Sequence, residues 1–142
     1  MSFRLPCLIA LAMALLPIAP PVSAQQSAEF RLELNNLEAV DGGCRLTFVA
    51  FNATGTDLAQ TSYDVAVFDD TGAVSDRLIL EFGHLPEDKT RVVQFLLNRD
   101  CGQISRLLLN EAEECLDAAG QSSRICMEAL SASSRADVLF GS

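Results

Sequence analysis

From residue 29 onward, apolar and polar positions alternate along the chain with a period of two. In 29–37, Phe30, Leu32 and Leu34 fall on one side and Arg31, Glu33 and Asn35 on the other. Similar runs, rich in β-branched and aromatic residues, recur at 44–52, 62–69, 74–82, 90–98, 104–110 and 136–140. Between them lie Asp41-Gly42-Gly43, Thr54-Gly55-Thr56-Asp57, Asp70-Thr71-Gly72 and Leu85-Pro86-Glu87-Asp88, clusters that make turns. Short period-two runs between turn clusters are the signature of half-buried strands.

Seven such strands predict an all-β fold, an antiparallel sandwich of the immunoglobulin type. No glycine-rich phosphate loop and no strand–helix alternation appears, which argues against a nucleotide-binding α/β fold. The apolar sides of the runs predict a core of Phe30, Leu32, Leu34, Leu46, Phe48, Val65, Val67, Leu78, Leu80, Phe82, Val93, Phe95, Leu109 and Val138. One stretch breaks the pattern. Residues 111–135, before the last strand, are too many for a structureless loop in a compact domain. Helical pieces are expected at 111–119 and at 124–130, the second capped by Ser122 or Ser123.

The beginning of the chain reads differently. Arg4 is followed by an unbroken apolar run at 8–16, then by Pro17, Pro20 and Pro21, then by Val22-Ser23-Ala24. This is the pattern of a secretory signal peptide, cleaved after Ala24, and 25–142 form the single exported domain. The apolar run is too short to cross a bilayer core, which needs about 20 residues. No stable membrane insertion is expected, and the site of action is the periplasm or the cell exterior. The absence of a twin arginine favours the general secretory route, and Cys7 precedes the apolar run, the wrong place for a lipoprotein acceptor.

Charge narrows the partners. The chain carries 10 Lys and Arg against 19 Asp and Glu, a formal charge of -9. Cleavage removes one Arg and no acid, leaving -10. Nucleic acid is disfavoured, because binding phosphates needs a basic surface.

Cleavage also removes Cys7 from the five cysteines, leaving Cys44, Cys101, Cys115 and Cys126. An even number in an exported chain reads as two disulfides, for which three pairings exist. In the sandwich, the second and sixth strands start at the same end of opposite sheets. That geometry favours Cys44–Cys101 across the core and Cys115–Cys126 as a local clip. Loops of these lengths stabilise by roughly 4 and 3 kcal/mol in the chain-entropy picture. A zinc site would need all four cysteines, or three with His84, at irregular spacing.

Asn52-Ala53-Thr54, 63–69, Gly72, Val74, Gly83-His84-Leu85-Pro86 and 90–95 together resemble small exported bacterial Ig-like domains of the FxLYD kind, over residues 28–98. The literal F-x-L-Y-D string is absent, and 101–142 go beyond the pattern. The resemblance implies a binding or accessory module and brings no catalytic residues with it.

Candidate chemistry is sparse, and no cofactor is expected. His84 sits in a turn with no recognisable nucleophile beside it. Asp69 and Asp70 read as a hairpin turn rather than a calcium loop. Glu111, Glu113, Glu114 and Asp117 form an acidic cluster, ordinarily a solvated face. Asn52-Ala53-Thr54 is an N-glycosylation sequon. The reading is therefore a non-catalytic module acting through an envelope or extracellular protein. The alternatives are a structural envelope or matrix subunit and, less favoured, an enzyme with an unrecognised site.

If Leu46, Phe48, Val93 and Phe95 face the core, then Val49, Phe51, Val92 and Leu96 face outward on neighbouring strands. Ile79 is expected to extend that face. Contiguous exposed apolar residues mark contacts, unless 111–135 folds back and covers them with Leu116, Ile125 or Leu130. N-terminal sequencing of the exported protein should begin at Gln25, and an intact Met1 in the membrane fraction would overturn the cleavage.

Overall fold

Alternation becomes pairing in the computed structural model, which describes residues 27–142. The signal-peptide reading and Cys7 lie outside these residues. Strands β1 (Glu29–Val40), β2 (Gly43–Ala53), β3 (Leu58–Phe68), β4 (Val74–Glu81) and β5 (Thr90–Leu97) follow one another. A 3-10 turn at Cys101–Gln103 leads into β6 (Arg106–Asp117), a one-turn helix α1 (Ile125–Glu128), β7 (Leu130–Ser134) and β8 (Leu139–Gly141). They form two four-stranded sheets, sheet I in the order β5-β2-β1-β7 and sheet II in the order β4-β3-β6-β8. The architecture is a β-sandwich.

The turns decide much of this. Gly42 and Gly43 both have positive φ and join β1 to β2 as a hairpin. Gly43 has a second constraint, since a Cβ there would sit 1.9 Å from the carbonyl oxygen of Leu97. Only glycine lets the start of β2 lie against the end of β5. The Asp69 carboxylate accepts the N–H groups of Thr71 and Ala73 and closes the β3–β4 turn. This tight connection forces β4 to pair with β3.

The two sheets bury one shared core. Phe30, Leu32, Leu34, Leu46, Phe48, Val65 and Val67 have no accessible surface. Leu80, Phe82, Leu109 and Val138 are buried with them. Leu78, Val93 and Phe95 pack on the core but are only half-buried, because β4 and β5 are the outermost strands on one side. Phe48 makes edge-to-face contacts with Phe82, Phe95 and Phe140, at centroid distances of 5.5, 5.9 and 5.3 Å. Tyr63 stacks on Phe30, and its hydroxyl donates to the Cys126 carbonyl at 2.8 Å. Burial pushes that phenol's pKa far up, so it remains a donor.

Both disulfides join the partners that strand geometry favoured. Cys44 and Cys101 lie 4.9 Å apart between Cα atoms, Cys115 and Cys126 6.0 Å. The second bond fastens α1 to β6, beside the carbonyl that Tyr63 holds.

Five expectations are corrected. There are eight strands, not seven, and the sheets are mixed rather than antiparallel, because β7 runs parallel to β1 and β8 parallel to β6. Residues 111–117 are strand, not helix. They continue β6 and pair with Leu58–Asp64 of β3, and this tertiary pairing overrides the helical preference of Glu and Ala. Within 124–130 only Ile125–Glu128 is helical, with Ser123 Oγ accepting the Ile125 N–H at 3.2 Å. The expected strand at 136–140 gives way to β7 and β8, between which the chain crosses from sheet I to sheet II.

Replacing Phe48 by Ala should cost about 3–5 kcal/mol, as deletion of a fully buried aromatic does. Phe95→Ala should cost clearly less, because that ring is half-exposed. Urea denaturation of both variants checks this, and equal losses would mean that the seam between β4 and β5 is closed.

Candidate functional site

The alternation that buries Leu46, Phe48 and Ala50 turns Thr47, Val49 and Phe51 of β2 to the opposite face of sheet I. On β5 the same rule turns Val92, Gln94 and Leu96 outward. The register sets Val49 opposite Val92, Thr47 opposite Gln94, and Phe51 opposite Thr90. On the other flank of β2, Arg31 is opposite Phe51 and Glu33 opposite Val49. The Arg31 guanidinium lies 4.5 Å above the Phe51 ring, a cation–π contact, with Glu29 Oε2 3.6 Å from Nε.

Arg31, Glu33, Val49, Phe51 and Thr90 line a shallow depression of about 350 Å³, bounded by Ser131 and Ser133 of β7. A second depression shares Arg31 and Phe51 and is rimmed by Glu29, Glu87 and Asp88. Val49 and Phe51 thus sit among polar and charged neighbours, with Glu29, Glu87 and Asp88 to one side. Val92 is 63% exposed and Leu96 61% exposed, while Val49 and Phe51 are half-buried by their neighbours. Leu96 stands apart from Val92, beyond the Gln94–Thr47 hydrogen bond of 3.1 Å.

The sequence places four of its five surface residues here and misplaces one. Ile79 is exposed, but it is on β4 in sheet II, where it pairs with Asp64. The β3–β4 hairpin ties it there. Residues 111–135 leave the face open. β7 extends sheet I in its own plane, and Leu130 and Ile125 pack on the core instead. Leu116 is on β6 of sheet II. The sequence reading missed Arg31. Its polar position in β1 was legible, but only the β1–β2 register brings it over Phe51.

Sheet II carries a polar cluster around Asp64, with Val74, Ile79 and Leu139 exposed elsewhere on its strands. Asp64 is buried there, accepts Nε of Arg77 at 3.3 Å, bonds also to the Arg77 terminal nitrogen, and accepts the Asn110 amide at 2.9 Å. These hydrogen bonds, Arg77 first, hold the Asp64 carboxyl below the usual carboxylate range.

The remaining candidates are structural. His84 is exposed, and its carbonyl accepts Arg91 Nη1 at 2.8 Å. Asp117 accepts the N–H groups of Ala119 and Gln121 and closes a turn, while Glu111, Glu113 and Glu114 are exposed on β6. All four cysteines of the described residues are bonded. Among the described residues, no group of three His, Cys, Asp or Glu is placed to hold a metal. No helix among them is long and apolar enough to cross a membrane.

The sequon asparagine is also engaged. Asn52 is 1% exposed, and its amide nitrogen donates to the carbonyls of Thr56 and Leu85, both at 2.8 Å. Its amide oxygen accepts the Thr54 N–H and hydroxyl. In the folded domain the nitrogen that would carry a glycan is occupied, and Asn52 ties the β2–β3 turn to the loop before β5.

No family model matches the chain, and neither a curated protein nor a solved structure matches it.

Because folding lowers the Asp64 pKa, the folded protein binds that proton less readily than the unfolded chain does. Its contribution is fully present above the unfolded value of about 3.9 and is lost as pH falls through the lower folded value. Asp64→Asn should therefore flatten the stability profile below about pH 4, read from thermal melts across pH. An unchanged slope would show that this carboxylate does not drive acid unfolding.

Proposed function

We propose that this chain is an exported, non-catalytic binding module that docks an envelope or extracellular protein on the outer face of sheet I. The observation that carries the reading is the exposed Val92 beside Val49 and Phe51 on an uncovered sheet face, with the exposed Leu96 farther along β5 opposite Arg45. Large apolar side chains grouped on a sheet face cost solubility, and a partner that covers them recovers the free energy of burial. Phe51 under Arg31 is the anchor, because aromatic and Arg side chains dominate contact energies.

Glu87 and Asp88, at one side of the Phe51 ring, fit a partner that brings a basic residue to that side. Export is supported by the two disulfides, which persist in oxidising compartments. The resemblance of residues 28–98 to exported domains of the FxLYD kind points the same way.

The test is Phe51→Asp. Arg31 can pair with the new carboxylate, so the variant should melt within a few degrees of the parent. A protein retained from an envelope extract by the parent should be lost by the variant, and its retention should fall as salt is raised. Equal retention by both chains would remove this face from consideration.

A further inference from the structure

The sandwich has four outermost strands, and three carry the usual defences against edge-to-edge association. β7 and β8 have only five and three residues. β4 is longer but carries Asp76, Arg77 and Glu81. β5 is eight residues long and has neither defence. It contains one charge, Arg91, and no carboxylate, in a chain with 19 acidic residues. Its ladder runs to β2 on one side only, and its other edge is open. Beside that edge is a groove of about 290 Å³, lined mostly by leucines of β4 and β5 with Ile79 and Phe95, and by Asp76 and Asn98. Core-facing Phe95 is half-exposed in it.

The sequence of β5 is self-complementary about its middle. In an antiparallel pair of identical strands centred on Gln94, Val92 of one copy lies opposite Leu96 of the other, and Gln94 opposite Gln94. On the inner face Val93 meets Phe95, and Arg91 meets Leu97. Outward residues pair with outward residues and inward with inward, as the pleat requires. No like charges face one another, and the two Gln94 amides can exchange hydrogen bonds on the axis. The two-fold axis is perpendicular to the sheet, so the cores of both copies lie on the same side of the joined sheet. Phe95 and Val93 of each copy then help to close the other's groove.

We propose that the partner of the β5 edge is a second copy of this chain, bound as an antiparallel, two-fold dimer centred on Gln94. The two edges satisfy each other, so assembly stops at two rather than growing into a filament. This goes beyond the docking surface above: it uses the backbone edge of β5 and shares Val92 and Leu96, but not Phe51 or Arg31, with that face. Joining two copies places their outer faces side by side in one eight-stranded sheet.

The test is sedimentation equilibrium of the exported protein and of Gln94→Glu and Gln94→Lys. Gln94 is exposed and bonds only to Thr47 Oγ1, so both variants should fold, which their melting curves verify. The parent should show a monomer–dimer equilibrium in the micromolar range, as a small interface allows. Each variant sets like charges opposite one another and should weaken the dimer by at least about tenfold. An equimolar mixture of the two variants should recover dimers, because Glu then faces Lys. The parent dimer should also tighten with salt, since each copy carries a net charge near -10 over residues 27–142. A parent that stays monomeric to about millimolar concentration, variants that dimerise like the parent, or a mixture without recovery would each overturn the proposal. Phe51→Asp should leave the dimer constant unchanged, so the docking surface and the dimer fail separately.

Discussion

Phe48 is where the two sheets meet. It rises from β2 in sheet I and touches Phe82, at the end of β4, and Phe140 of β8, both on the sheet II side. Phe95 of the neighbouring strand completes the cluster, 5.2 Å from Phe82. Edge-to-face geometry at these distances fixes relative orientation as well as separation. Every second residue of β2 must then point inward, and this constraint places Val49 and Phe51 on the outside. The candidate surface is therefore a by-product of how the core is locked.

β3 has a complementary role. As an inner strand of sheet II it is buried almost throughout, on both faces. Tyr63 points into the core and reaches the Cys126 carbonyl, while Asp64 is held on the outer face by Arg77 and Asn110. One residue thus holds the helix and disulfide at the far end of β6, and the next ties β4 and β6 together on the second sheet's exterior. Exposed apolar side chains remain on both sheets, Val92 and Leu96 on sheet I and Val74, Ile79 and Leu139 on sheet II.

The fold was legible where the signal was local. Alternation in β1, β2, β4 and β5 was readable because each has one side in the core and one in water. The cysteine pairing followed from strand order. Residues 111–117 were not readable, because Glu111, Ala112, Glu113 and Glu114 carry helical propensity and become strand only through β3. Ile79 was assigned to the wrong sheet because an alternating strand does not announce which neighbour it will take. The Asp69–Gly72 turn contained that information, since a tight hairpin keeps both its arms in one sheet. For the candidate surface, the outward positions of β2 and β5 could be derived from inward ones, whereas Arg31 above Phe51 needed the register of a third strand.

The parallel pairing of β7 with β1 sets Phe30 beside Leu130, and the Phe30 N–H donates to the Ala129 carbonyl at 2.7 Å. The two ends of the domain are thus zipped together across nearly the whole chain. A polypeptide that emerges N-terminus first, whether from a ribosome or through a translocation pore, cannot complete sheet I until β7 has cleared the exit. β1 and β2 can form their hairpin early, but the edge of β1 stays open and unpaired throughout passage. Sheet I is therefore closed late, by a segment that follows β1 to β6 in the chain.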